Sequence, residues 1–125
     1  MFKGKPVRVV MTDNAKEAFE FLKDVVLEEL RKGVTKSDNQ ILLRAINQKI
    51  ELLRNNPEHG THIQRDRIPY EYLMSYNANS LWKINLSGAW RMIYTIRGNE
   101  IEILALIIDL LSHRTYEKKF GYKKS

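Results

Sequence analysis

Lys83 and Arg91 interrupt two otherwise apolar stretches of LWKINLSGAWRMIYTI, residues 81–96. An arginine offers a planar fork of donors suited to phosphate, and a lysine adds a mobile point charge. Together on one surface they make an anion site. A second group, His113, Arg114 and Tyr116, follows an apolar run near the other end of the chain. Histidine titrates near neutrality and can move a proton, and a helix start favours anions. Arg65 and Arg67 flank Asp66 in a loop and can touch a nucleic-acid backbone, with Tyr70, Tyr72 and Tyr76 as stacking surfaces nearby. His59 and His62 (HGTH) have no third ligand at metal spacing, so no metal is expected. No glycine-rich phosphate loop or serine triad accompanies them.

Each group also has a plainer reading. Lys83 and Arg91 fit a solvated outer face with an ion pair to Glu102, because half-buried sheets usually carry charge outside. His113 and Tyr116 fit a helix that caps the sheet, Arg65–Asp66–Arg67 a solvated charge cluster, and the loop tyrosines anchors to the core.

The elements that position these residues follow from periodicity. Side chains alternate across a strand, so hairpin register decides which residues share a face. A three-residue turn at Ser87-Gly88-Ala89 pairs Leu86 with Trp90, Asn85 with Arg91, Ile84 with Met92, Lys83 with Ile93 and Trp82 with Tyr94. One face then gathers Trp82, Ile84, Leu86, Trp90, Met92 and Tyr94. The other gathers Lys83, Asn85, Arg91, Ile93 and Thr95, and is expected to form an open polar concavity. A two-residue turn scrambles both faces.

Residues 7–12 (VRVVMT) read as a β-branched strand. Asp13 or Asn14 is placed to cap a helix, and Asn14 with Glu17 has capping-box spacing. Ala15, Ala18, Phe19, Leu22, Val26 and Leu30 recur down one helical face until Gly33. Ser37 and Gln40 open a second helix, which Asn55, Asn56 and Pro57 stop. Residues 58–80 lose periodicity, apart from a short helix expected to start at Pro69. Strands follow over 81–86, 90–97 and 101–110, the last apolar on both sides and so interior to the sheet. Ser112 begins a final helix closed by Gly121. The expectation is one α+β domain over residues 1–125, in the order β-α-α-β-β-β-α. A helical hairpin packs on one face of a mainly antiparallel four-stranded sheet.

Composition narrows the function classes. At 125 residues, 43% hydrophobic and 29% charged, the chain suits a soluble globular domain. The longest apolar run, six residues, is too short for a membrane span, and the first residues lack a signal-peptide pattern, so a cytoplasmic location is the default. No cysteine is present, which excludes disulfides and thiolate chemistry. The net charge is +6 with pI near 9.6. Residues 113–125 hold five cations (Arg114, Lys118, Lys119, Lys123, Lys124) against Glu117, a net +4. Nucleic acid or an acidic protein suits that charge equally.

WKINLSGAWRMIYTI, the apolar strand after it and SHRTYEKKFGY together resemble the RelE/ParE toxin superfamily, most closely a RelE-like branch. The closing His113, Tyr116, Phe120, Gly121 and Tyr122 carry the resemblance, as does the element order. It implies the toxin of a toxin–antitoxin module, a metal-independent endoribonuclease that cleaves mRNA, often on the ribosome, and is neutralised by a cognate antitoxin. The ribose 2′-hydroxyl attacks the adjacent phosphate, so RNA is cut and DNA is not. By this resemblance Arg91 and Lys83 hold the phosphate, His113 transfers a proton, and Tyr116 stacks a base or aids proton transfer. Arg114 is by the same resemblance a second phosphate contact, and Asn85, Arg65, Arg67, Lys118 and Lys119 are expected to contact the RNA as well. Asn85 stands where relatives carry a second strand lysine, and no glutamate aligns as general base, with Glu51 and Glu71 the nearest candidates. No cofactor is implied. A ParE-like, non-enzymatic gyrase inhibitor and an inactive RNA- or antitoxin-binding member are the alternatives.

Overall fold

Asn85 lies opposite Arg91, and Trp82 opposite Tyr94, across two antiparallel strands. The computed structural model that shows this describes residues 2–78 and 80–121. Tyr122, Lys123 and Lys124 lie outside the described residues. The strands are β3 (Leu81–Asn85) and β4 (Arg91–Gly98), with a single 3-10 turn at Ser87–Ala89 between them. Gly88 takes φ 63° there, a left-handed conformation that costs glycine little. The Leu86 amide donates to the Trp90 carbonyl at 2.8 Å, which locks the three-residue register.

Five strands form the sheet, in the order β1-β5-β4-β3-β2. β1 (Val7–Met11) runs parallel to β5 (Ile103–Leu111), which also pairs antiparallel with β4 and is therefore interior, as its apolar sequence requires. The expected count of four strands is corrected by β2 (Thr61–Ile63), an edge strand inside the supposed loop. Three residues are too few to display alternation. The Tyr94 hydroxyl holds this edge in place. It donates to the Pro57 carbonyl at 2.7 Å and accepts from the Gly60 amide at 3.0 Å.

Helices α1 (Asp13–Arg31) and α2 (Asp38–Asn55) form the hairpin on one face. The cap of α1 is Thr12 rather than Asp13 or Asn14. Its hydroxyl accepts from the Ala15 amide and donates to the Ile108 carbonyl at 2.7 Å, tying helix to sheet, while Asp13 faces the positive helix end. Ser37 caps α2 as its spacing predicts. Gln40 does not reach back, however. Its amide donates to Glu29 and to the Val34 carbonyl instead, joining the two helices. Ser37 and Asn39 also donate to Glu29, and these bonds hold its carboxyl below the usual carboxylate range.

Two apolar cores sandwich the sheet. The first packs Ala15, Leu42, Ile46 and Leu53 of the helices against Ile84, Met92, Tyr94 and Ile107, with Trp82 and Trp90 partly buried beside them. The second lies on the outer face, and it corrects the expected open concavity. Leu81, Ile93, Ile108 and Leu111 project there and are covered by α3 (Tyr70–Tyr76) and α4 (His113–Phe120) through Tyr72, Tyr116 and Phe120. A bulge explains how β5 serves both cores. Ile93 faces Asp109 and Tyr94 faces Ile107, so Ile108 is the extra residue. Ile107 and Leu110 thus pack under the helices, and Ile108 and Leu111 on the outer face. Among the described residues no helix is long and apolar enough to cross a membrane.

Candidate anion site on the outer face

Ser112 follows β5 directly and caps α4, its hydroxyl accepting from the Thr115 amide. One turn later Tyr116 swings down onto the sheet and is only 1% exposed. Its ring meets both cations of the hairpin. Lys83 Nζ lies 5.2 Å from the ring centroid and donates to the Tyr116 hydroxyl at 3.1 Å. Arg91 Cζ lies 5.1 Å from the same centroid. An aromatic face attracts a cation, and two cations sharing one ring offset part of their mutual repulsion. Lys83 and Arg91 are both half-buried, so their charge is concentrated rather than dispersed in water.

Arg91 is oriented from below as well. One terminal nitrogen donates to the Ala89 carbonyl at 2.7 Å, so the hairpin turn aims the guanidinium. Its Nε is buried and meets no acceptor among the described residues. Glu102 does not pair with either cation. It binds Arg8 at 3.0 Å on the β1–β5 side of the sheet, which replaces the ion pair expected across the outer face.

The remaining sequence candidates divide in two. Asn85 is exposed beside Arg91, and Arg67 lines the same concavity as Lys83 and Tyr116. Arg65, Arg114 and Lys118 are exposed and do not line it. His113 is half-exposed, and its ring pairs with Glu117 of its own helix at 3.1 Å. Lys119 pairs with Glu71 at 2.5 Å. That contact engages Glu71, and Glu51 lies on α2, across the sheet, where it pairs with Arg54. Neither glutamate is free to serve this site as a base.

Asp109 was not singled out from the sequence, although a lone acid in an apolar strand is a detectable signal. It shares the transverse row Lys83–Ile93–Asp109 on the outer face. The Tyr72 hydroxyl donates to Asp109 Oδ2 at 2.6 Å. Burial pushes the Asp109 carboxyl up, against the opposing pull of that bond and of Lys119. Tyr72 is raised well above the ordinary tyrosine range, by burial first and then by Asp109. Phe120 stacks on Tyr116 at 4.6 Å and leans on Tyr72 at 6.0 Å, so three rings bridge the row from Lys83 to Asp109. Tyr72 is therefore an anchor rather than a stacking platform, while Tyr70 stays exposed.

His62 packs edge-on against Trp82 at 4.9 Å, with Ser80 Oγ 3.5 Å from Nε2. Among the described residues no group of three or more His, Cys, Asp or Glu is placed to hold a metal ion.

No protein-family model matches the sequence, and no curated protein sequence matches it. A solved structure does. The YoeB/ParE toxin from Agrobacterium tumefaciens superposes with a TM-score of 0.55 at 15% identity, covering 85% of this chain and 98% of that one. At that identity the likeness is one of architecture, and the chain has the fold of a YoeB/ParE toxin.

Proposed function

We propose that this chain is the toxin of a toxin–antitoxin pair and cuts RNA at the Lys83–Arg91–Tyr116 site. The observation that carries the reading is the single tyrosine ring shared by two half-buried cations on a toxin-type fold. In the proposed reaction the 2′-oxygen attacks the neighbouring phosphorus and the bond to the 5′-oxygen breaks. A 2′,3′-cyclic phosphate and a free 5′-hydroxyl result. Lys83 and Arg91 oppose the charge that grows on the phosphoryl oxygens. His113, oriented by Glu117 and opening the helix that carries Tyr116, takes the proton from the 2′-hydroxyl. Tyr116 returns one to the leaving oxygen. The nucleophile belongs to the RNA, so the scheme needs no metal-bound water and no cofactor. In this reading mRNA, on or off the ribosome, is the substrate, the cytoplasm is the compartment, and an acidic antitoxin neutralises the +6 charge.

The test is cleavage of mRNA by purified protein in EDTA, with and without ribosomes, beside Arg91→Ala. Cuts ending in cyclic phosphate that vanish in the variant support the reading. Folded protein that cuts nothing in either condition overturns it.

The 1% exposure of Tyr116 favours a second reading, in which the site only binds. Inhibition of DNA gyrase supercoiling, with mRNA left intact, is the outcome that selects it.

A further inference from the structure

The residues from Gly60 to Arg67 do more than lengthen a loop. They add β2 to the sheet edge, and between that edge and α4 they leave a concavity of about 190 Å³. Its walls are chemically mixed. Ile63 and Phe120 give apolar surface, and Tyr116 adds an aromatic ring. Lys83 and Arg67 bring cations, and no carboxylate lines it among the described residues. Thr61 and Gln64 supply hydroxyl and amide groups that both donate and accept.

We infer that this concavity is a subsite for one unpaired nucleotide, with Gln64 and Thr61 reading the edge of its base. The inference rests on the RNA-cleaving reading and deepens it. A base needs an apolar or aromatic surface for its face, and the cost of leaving a stack falls when it finds one. Its edge needs a paired donor and acceptor, which a glutamine amide presents together. Its phosphate needs cations, and Lys83 belongs both to this concavity and to the Tyr116 site. That sharing sets the base a fixed step along the strand from the phosphate held by Lys83 and Arg91. The volume suits a single splayed base and not a duplex, as expected where sequence is read in single strands.

The wall is also built to keep its shape. Thr61 pairs with Lys83 across the β2–β3 ladder, so the reading edge and the shared cation are neighbours on one face. Gly60 lies so close to the sheet that an added Cβ would sit 2.6 Å from the Lys83 carbonyl oxygen. Nothing larger lets β2 approach. A preorganised wall spends less binding energy on ordering itself.

The experiment uses the full chain in two arms. Amide NMR follows titration with each of the four nucleoside monophosphates and with inorganic phosphate. RNA cleavage or binding is measured over a pool of randomised sequences. The expected result is that one nucleotide shifts Thr61–Gln64 and binds about tenfold tighter than the others. Inorganic phosphate moves the Lys83 region alone. Gln64→Ala then brings the preferred nucleotide down to the level of the rest and flattens the sequence preference at one position beside the cut. Thr61→Val does so partially. RNA that is cut with a base preference unmoved by Gln64→Ala, or nucleotide shifts lying elsewhere, overturns the subsite and leaves the RNA-cleaving reading standing. Folded wild-type protein that neither binds nor cuts RNA overturns both.

Discussion

Lys83 Nζ donates to the Tyr116 hydroxyl at 3.1 Å, linking the middle of the hairpin to the last helix. This one bond joins the cation proposed to meet the phosphate to the group proposed to release the proton. Tyr116→Phe keeps the ring, its stacking on Phe120 and the packing against Arg91, and removes only the hydroxyl. The expected loss of stability is about 1 kcal/mol. RNA cleavage is expected to fall about a hundredfold, the low end of what a lost proton donor costs. Urea melts and cleavage rates on the same preparation separate the two effects. A variant as active as wild type removes Tyr116 from the chemistry.

The edge strand depends on Tyr94. Burial pushes its hydroxyl up to about 12, opposed by the Gly60 amide, so it stays protonated and donates to Pro57. Tyr94→Phe leaves a buried carbonyl and amide without that partner and is expected to cost about 1–3 kcal/mol. Hydrogen exchange should show protection lost first at Thr61–Ile63. Gly60→Ala is expected to cost at least as much, because its methyl would meet the Lys83 backbone. Uniform loss of protection over the whole sheet contradicts a local clamp.

Asp109 gives a pH dependence of unusual sign. Burial raises its pKa in the folded state. The stabilising contribution is therefore complete below the ordinary carboxylate value of about 4 and is lost as pH rises through the raised value. Asp109→Asn keeps an acceptor for Tyr72 and carries no charge. It is expected to be at least as stable as wild type at pH 7 and to lose its advantage near pH 4. Thermal melts across that range decide it, and a variant destabilised most at neutral pH shows that the ionised form is the favoured one.

Glu29 behaves oppositely. Ser37, Asn39 and Gln40 all donate to it and lower its pKa. Its contribution is present above the ordinary carboxylate range and is lost as pH falls through the lowered value. Glu29→Gln should thus matter at pH 7 and cease to matter in strong acid. Melts at the two pH values check the direction, and equal losses at both point to packing in place of charge.

The hairpin was legible because Gly88 admits one turn length and the two tryptophans admit one face. Gly33, Ser37 and Pro57 marked their helix ends for equally local reasons. Three features were hidden, each because it depends on a distant partner. β2 exists only because Leu81 and Lys83 offer it an edge, and its three residues carry no rhythm of their own. The second core joins Ile93, Ile108 and Leu111 from strands whose phase shifts at the bulge, so alternation along any single strand cannot reveal it. Thr12 outcompetes Asp13 and Asn14 as a cap because its hydroxyl also reaches Ile108. At the site, Lys83, Arg91 and Tyr116 were foreseen as neighbours. The engagement of His113 with Glu117 and the pairing of Asp109 with Tyr72 were not, since both are side-chain choices made after the backbone is fixed.

The sheet order carries a consequence for synthesis. β1 is made well before β5, which is its one strand neighbour among the described residues. Until residues 103–111 have emerged, the first strand has nothing to pair with and the helical hairpin can cover only half its floor. Closure of so long a loop is slow compared with local pairing. The nascent chain therefore lacks Arg91 seated against Tyr116 until α4 has been made. In the proposed reading, the site would be completed only when α4 has been made, as a late and single event.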